Sequence, residues 1–164
     1  MAQKGIPEVQ GNFGADIEFL NNSGEGTVAL GSANLGHFQK FHLSHKVTVV
    51  KVAVEVTVAT AGAKNAGIAI YDGETGLRLG TEVGLDWTGT GVKTADIAVT
   101  LNPGTYWLGI STDDTVTIRG ASYGGKLTGL LAGGTKATTY PPPAALPSTL
   151  TAVDGVPQFG LRLA

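Results

Sequence analysis

Three histidines, His37, His42 and His45, lie close together in the chain. A zinc ion would draw such rings to about 2 Å and would usually require a further ligand. No cysteine exists to supply one, and no well-placed carboxylate joins them. On a strand, His42 and His45 face opposite sides, so the three read as ordinary strand and loop histidines. Two acidic pairs, Asp72/Glu74 and Asp113/Asp114, follow directly after apolar runs, where oxygen ligands for calcium often lie. Neither matches a calcium-loop spacing, and aspartate and glutamate beside glycine are also what tight turns demand. Ser44, Ser111 and Ser122 lack a nucleophile elbow, and "GGKLTG" lacks the spacing of a phosphate-binding loop. No carboxyl pair stands out as a glycosidase acid and base. Neither catalysis nor a metal or cofactor is expected.

The aromatic residues are the remaining candidates. Trp87 sits in "GLDWTGTG", a glycine-rich stretch, and is the best candidate for an exposed stacking residue. Tyr106 and Trp107 follow a Pro-Gly turn in "LNPGTYWLGIS". Tyr106 shares a face with Leu108 and Ile110 and belongs to the core. Trp107 lies on the opposite face, beside Gly109, and is expected outward but covered, lying over the sheet's outer surface or in a subunit contact. Trp87, Trp107, Asp113 and Asp114 are therefore the candidate surface or ligand contacts.

Strands must position these side chains. "KVTVVKVAVEVTVAT" alternates Val50, Val52, Val54, Val56 and Val58 against Lys51, Ala53, Glu55 and Thr57. Helical spacing would scatter the valines, so this is a long strand with one buried face. "AGIAIYD", "GLRLGTEV", "TADIAVTL", "GTYWLGIS", "TVTIRG" and "PQFGLRLA" follow, separated by the turn sequences "DGETG", "TGTG", "NPG" and "DD". Their spacing predicts an all-β, antiparallel β-sandwich, most simply of the jelly-roll type. "TTYPPPAALPSTL" (Thr138 to Leu150) holds four of the seven prolines and reads as an extended surface crossing that cannot join a sheet interior. Residues 1–34 are rich in glycine and asparagine and read as an extended arm with one or two short strands such as "GTVAL"; residues 35–164 form the sandwich.

Composition excludes several classes. A chain of 164 residues with 15% charged residues and 25 glycines suits one turn-rich β-domain. A net charge of −2 offers no grip on nucleic acid or an anionic membrane. No apolar run approaches the roughly 18 residues of a membrane span, and the first residues lack the pattern of a secretory signal.

The segments "FQKFHLSHKVTVVKVAVEVTVATAG", "AGIAIYDGETG", "TGTGVKTADIAVTLNPGTYWLGISTDD" and "FGLRLA", in that order, resemble a jelly-roll domain of tailed-bacteriophage structural proteins. The resemblance runs from about Phe38 to Leu163 and rests on packing and turn positions, which specify fold more than role. It implies a non-enzymatic virion protein, a capsid decoration or cement protein or a head- or tail-attached knob. Its expected partners are further copies of itself, most simply as a homotrimer, and major capsid or tail proteins. The arm would attach it through Ile6, Val9, Phe13, Ile17, Phe19 and Leu20. The alternative is a carbohydrate-binding module that takes a host-surface glycan on its exposed aromatics.

Overall fold

The computed structural model describes residues 19–20, 26–30, 35–122, 133–137, 140–152 and 155–164. These form two antiparallel sheets packed face to face as a β-sandwich. The seven-stranded sheet contains β1 (Phe19–Leu20), β2 (Gly26–Ala29), β4 (Val47–Val58), β7 (Gly91–Leu101), β9 (Thr117–Ser122), β12 (Gly155–Pro157) and β13 (Gly160–Leu163). The six-stranded sheet contains β3 (Leu35–Leu43), β5 (Ala66–Asp72), β6 (Arg78–Leu85), β8 (Gly104–Thr112), β10 (Gly133–Ala137) and β11 (Thr151–Ala152), in the order β11-β10-β3-β8-β5-β6. From β3 to β9 the chain steps repeatedly between the sheets, the winding of a jelly roll.

Strand β4 organises the seven-stranded sheet. It pairs with β7 along one side and with β13 and then β9 along the other. Its valines do not keep one phase. Against β13, Leu163 faces Val49 and Arg162 faces Lys51, which leaves Val50 as an extra residue in β4, and the register with β7 shifts at the same place; such a bulge exchanges the two faces of a strand. Val47 and Val49 point inward before it, and Val52, Val54 and Val56 after it. Val50 is left half-buried and Val58, at the strand's end, is 57% exposed, so these two leave the buried face that plain alternation assigns to them. Each inward valine contributes about 1.5–3 kcal/mol by leaving water.

The other inward faces follow their alternation. Ala95, Ile97 and Leu101 of β7, Ile68 and Ile70 of β5, and Tyr106, Leu108 and Ile110 of β8 join one core. Phe41 packs on Tyr106 at 5.8 Å and edge-on to Phe159 at 5.2 Å between ring centroids. The Tyr106 hydroxyl donates to the Asn102 carbonyl at 2.8 Å, which satisfies its polar end.

Part of the stretch read as an arm belongs to the sandwich. Strand β2 pairs with β9 from Gly26↔Gly120 to Ala29↔Thr117, and Val28 and Leu30 are core residues. Strand β1 pairs with β13, Phe19 opposite Leu161 and Leu20 opposite Gly160. The chain from Gly155 to Leu163 changes partner along its length. It pairs with β9 as far as Gln158, whose N–H donates to the Arg119 carbonyl at 2.9 Å, and with β4 from Gly160 onward. Near this junction Arg119 grips Glu55 through two bonds, Nε to Oε2 at 3.0 Å and Nη2 to Oε1 at 3.2 Å.

Candidate functional site

The sequence candidates disperse. Trp87 is not an exposed stacking residue: it is fully buried. Its backbone N–H donates to the Ala63 carbonyl at 2.9 Å, its ring joins the main core with Ala63, Ala66 and Leu85, and its indole N–H meets no acceptor among the described residues. A tryptophan brings 150–250 Å² of largely apolar surface, and the β6–β7 connection folds inward to sink it. Glycine content marked a turn correctly but carried no information on which way its one large side chain would face.

The carboxylates hold turns. Asp72 Oδ1 accepts from the Glu74 N–H at 3.0 Å, the Thr75 N–H at 2.7 Å and the Thr75 hydroxyl at 2.9 Å. The Thr75 bonds, backbone first, hold its carboxyl below the usual range. Asp113 clamps Asn65, accepting from its backbone N–H at 3.0 Å and its amide at 2.7 Å. Asp114 accepts from the Thr115 N–H at 2.7 Å and the Thr60 hydroxyl at 3.0 Å, and these bonds lower its pKa in that order. Together Asp113 and Asp114 fasten the β8–β9 turn to the β4–β5 connection. Among the described residues no group of three or more His, Cys, Asp or Glu side chains is placed to share a metal ion.

The histidines do not converge. His37 points into the sandwich and is buried; His42 is exposed, with its Nδ1 at 3.4 Å from the Thr105 hydroxyl. His45 lies in the β3–β4 turn at 3.2 Å from the Ser44 hydroxyl. Burial lowers the His37 pKa, which the backbone of Leu30 opposes only in part. Neither His37 ring nitrogen has a partner in hydrogen-bonding geometry among the described residues.

One exposed-side surface does gather aromatic and polar groups. On the outer face of the six-stranded sheet, Phe38, Ala69 and Tyr71 form a second buried cluster, flanked by Trp107, Leu146 and Leu150. Phe38 meets Tyr71 edge-on at 5.9 Å. Gly109 makes room for both rings, because a Cβ there would lie 2.8 Å from Tyr71 and 3.0 Å from Phe38. Trp107 is half-buried beside them, and Lys40 places its ammonium 5.6 Å from the Trp107 ring centroid. Trp107 is thus outside the main core and packs, half-buried, against this outer cluster.

The cover is the proline-rich segment. Residues 140–150 run across β5 to the start of β6 as a strap. Pro142 is buried over Gly67, where a Cβ would come within 2.5 Å of its ring. The Tyr71 hydroxyl donates to the Pro143 carbonyl at 2.9 Å. Arg78 Nη1 donates to the Pro142 carbonyl at 2.6 Å and reaches the Pro143 carbonyl at 3.5 Å. The Gly84 N–H donates to the Tyr140 hydroxyl. Burial pushes the Tyr71 pKa up to about 12, and the Arg78 charge offsets part of that rise. Sequence reasoning missed Tyr71 and Arg78 as strap-holding residues; the signal was a tyrosine at a strand exit with three prolines elsewhere, which need donors they cannot supply themselves.

Phe19 and Leu20 are strand residues of the sheet edge, and Ile6, Val9, Phe13 and Ile17 lie outside the described residues. No protein-family model and no curated protein matches the chain. Among solved structures it is similar to the clostridial cysteine protease Cwp84 after propeptide cleavage, at 9% identity and a TM-score of 0.48. That likeness covers 84% of this chain, which spans only 37% of the protease. A β-1,3-glucan-binding CBM6 from Bacillus halodurans matches 58% of this chain over 92% of its own, at 16% identity and a TM-score of 0.33. VP2 of the infectious bursal disease virus subviral particle matches 92% of this chain over 40% of its own, at 17% identity and a TM-score of 0.27. At these values none of the three transfers a function.

Proposed function

We propose that the chain is a non-enzymatic structural protein of a bacteriophage virion, a capsid decoration protein or a head- or tail-attached knob. The observation that carries this reading is that the residues able to do chemistry are consumed by the fold. Trp87 is core, Asp72, Asp113 and Asp114 tie turns, and the three histidines face different ways. What remains is a scaffold whose exposed surface is built for contact, in keeping with the resemblance carried by its strand and turn pattern.

The outer face of the seven-stranded sheet suits a homotrimer. Thr94, Asp96, Ala98 and Thr100 project from β7, Asp96 is paired with Lys51, and the Thr100 and Thr48 hydroxyls lie 3.1 Å apart. Apart from that pair, whose charges balance, the side chains are short and uncharged and let two sheets approach closely. Attachment to the particle falls to Ile6, Val9, Phe13, Ile17, Phe19 and Leu20, the last two on the short strand β1 that pairs with β13. The glycan-binding alternative loses its best residue with Trp87, and Trp107 is engaged by Lys40 and the strap cluster.

Native mass spectrometry and co-sedimentation with capsids and tails of the phage that encodes the chain test the proposal. A trimer that pellets with particles is expected. A monomer that ignores particles and binds a bacterial surface polysaccharide would replace this reading with the glycan-binding one.

A further inference from the structure

The inner face of β3 carries two polar side chains in a layer that is otherwise apolar. His37, Gln39, Phe41 and Leu43 alternate onto that face, and Phe41 and Leu43 belong to the main core. His37 is 4% exposed and Gln39 2%, so bulk solvent reaches neither. Their neighbours across the ladder offer little. On β8 they stand beside Ile110 and Leu108, and on β10 Gln39 stands opposite Gly133, which brings no side chain. Three polar atoms, His37 Nδ1 and Nε2 and Gln39 Oε1, have no hydrogen-bond partner among the described residues. Burying such atoms unmet is costly, and folded proteins rarely do it.

The chemistry of these atoms narrows what can meet them. Gln39 Nε2 donates to the Lys40 carbonyl at 3.0 Å, which fixes the amide and leaves Oε1, an acceptor, as its free end. Leu30 spends its N–H on the Val116 carbonyl at 2.8 Å, so its backbone meets the His37 ring as an acceptor and favours a proton on the nitrogen facing it. A neutral imidazole has one N–H, so its other nitrogen is an acceptor too. Two acceptors cannot bond each other; they need a neutral group with two hydrogens to give. Residues two apart on one strand face have Cα atoms about 6.6 Å apart, which suits two bonds through one oxygen, about 5 Å end to end, better than one direct bond of about 2.9 Å. We propose that the inner face of β3 binds an internal water, bonded at once to a His37 ring nitrogen and to Gln39 Oε1. Water is the smallest neutral donor of two hydrogens, and internal waters settle on about 2–4 polar partners. It lets a histidine and a glutamine stand uncharged inside the sandwich. This inference concerns the interior alone and is independent of the virion reading.

A crystal structure of the full chain, at a resolution that shows ordered solvent, tests this directly. An oxygen is expected at about 2.7–3.2 Å from both a His37 ring nitrogen and Gln39 Oε1. A protein atom bonded to Gln39 Oε1 or to the ring nitrogen turned away from Leu30, or solvent on one of the two groups alone, overturns the shared site. In solution, the His37 ring protons should show a dipolar cross-peak to a long-lived water, and a ring without one contradicts the proposal. Stability then tests the sharing. His37→Leu and Gln39→Met each take one partner from the water and leave the other acceptor poorly met, whereas the double variant removes both acceptors. The melting temperature of the double variant should therefore fall by less than the sum of the two single losses. Strictly additive losses would mean that the two side chains share nothing. Should a variant fail to fold, the unsubstituted chain's structure and water cross-peak decide.

Discussion

The two faces of the six-stranded sheet both bury apolar side chains, but unlike things cover them. On the inner face, Ile68, Ile70, Leu108 and Ile110 are buried by a whole opposing sheet. On the outer face, Ala69, Tyr71 and Phe38 are buried by residues 140–150. Strand β5 makes the contrast within one segment, since alternate residues serve the two layers. The inner layer is held by buried apolar area and shape. The outer layer is smaller and depends on directed bonds from Tyr71 and Arg78 to specific carbonyls. A cover made from one loop therefore needs address as well as grease, and it should open without the sandwich unfolding.

The largest expected effect comes from placing a charge in the inner layer. Val54→Asp buries a carboxylate with no partner at a fully buried site, which costs several kcal/mol and should abolish folding. A soluble variant with an ordinary melting transition would show that the inner face has been assigned wrongly. Next, Trp87→Ala should destabilise the whole domain by about 3–5 kcal/mol, read from denaturant midpoints, because it empties a core site. An exposed stacking residue would change stability by no more than about 0.5 kcal/mol.

Replacing neighbours on β5 sharpens the comparison directly. Ile70→Ala should cost about 2–5 kcal/mol and lower global stability. Tyr71→Phe should cost about 1 kcal/mol, the typical worth of one hydrogen bond, and act on the strap first. Hydrogen exchange should quicken at Leu146, whose N–H bonds Gly76, while the amides of β8 stay protected. Equal acceleration in both places would mean that the two layers open as one.

The two layers should also part in their pH responses. His37 has a lowered pKa in the fold, so the unfolded chain binds the proton first. Stability contributed by the neutral ring is complete above the unfolded value near 6.5 and is lost as pH falls through and below it. Tyr71 behaves in the opposite sense. Its pKa is raised from 10 to about 12, so the unfolded chain loses its proton first and stability falls as pH rises through that interval. Melting midpoints with His37→Gln and Tyr71→Phe as controls should each flatten one limb of the profile. The smallest effect belongs to Lys51→Ala, which breaks an exposed ion pair with Asp96 and should shift stability by about 1 kcal/mol or less.

Strands, their alternation and the sandwich were legible because a period of two is written directly into residue order. The inward set of β7 and the split between Tyr106 and Trp107 followed from that alone. The bulge in β4 was not legible, because valines stand at 49, 50 and 52 on both sides of Lys51, and either phase buries a valine run. Trp87 was misread because turn composition fixes backbone conformation and leaves the direction of a side chain to tertiary packing. Strand β2 was weak for a related reason: four residues offer one inward side chain, Val28, and only pairing with β9 makes it core. The strap was recognised as extended, yet its landing site depends on Gly67, Tyr71 and Arg78 meeting residues far along the chain.

The partner change along Gly155–Leu163 has a consequence for biosynthesis. Residue 160 pairs with residue 53, and the same run joins β9 as well, so a ribosome delivers this segment after both strands it must bind. Until then the valine-rich β4 waits with one side of its backbone open, which is a template for pairing with other nascent chains. Contacts this distant in sequence also make for slow closure. Yield in a heterologous host should therefore respond more to translation speed and holdase capacity than to the stability of the finished sandwich.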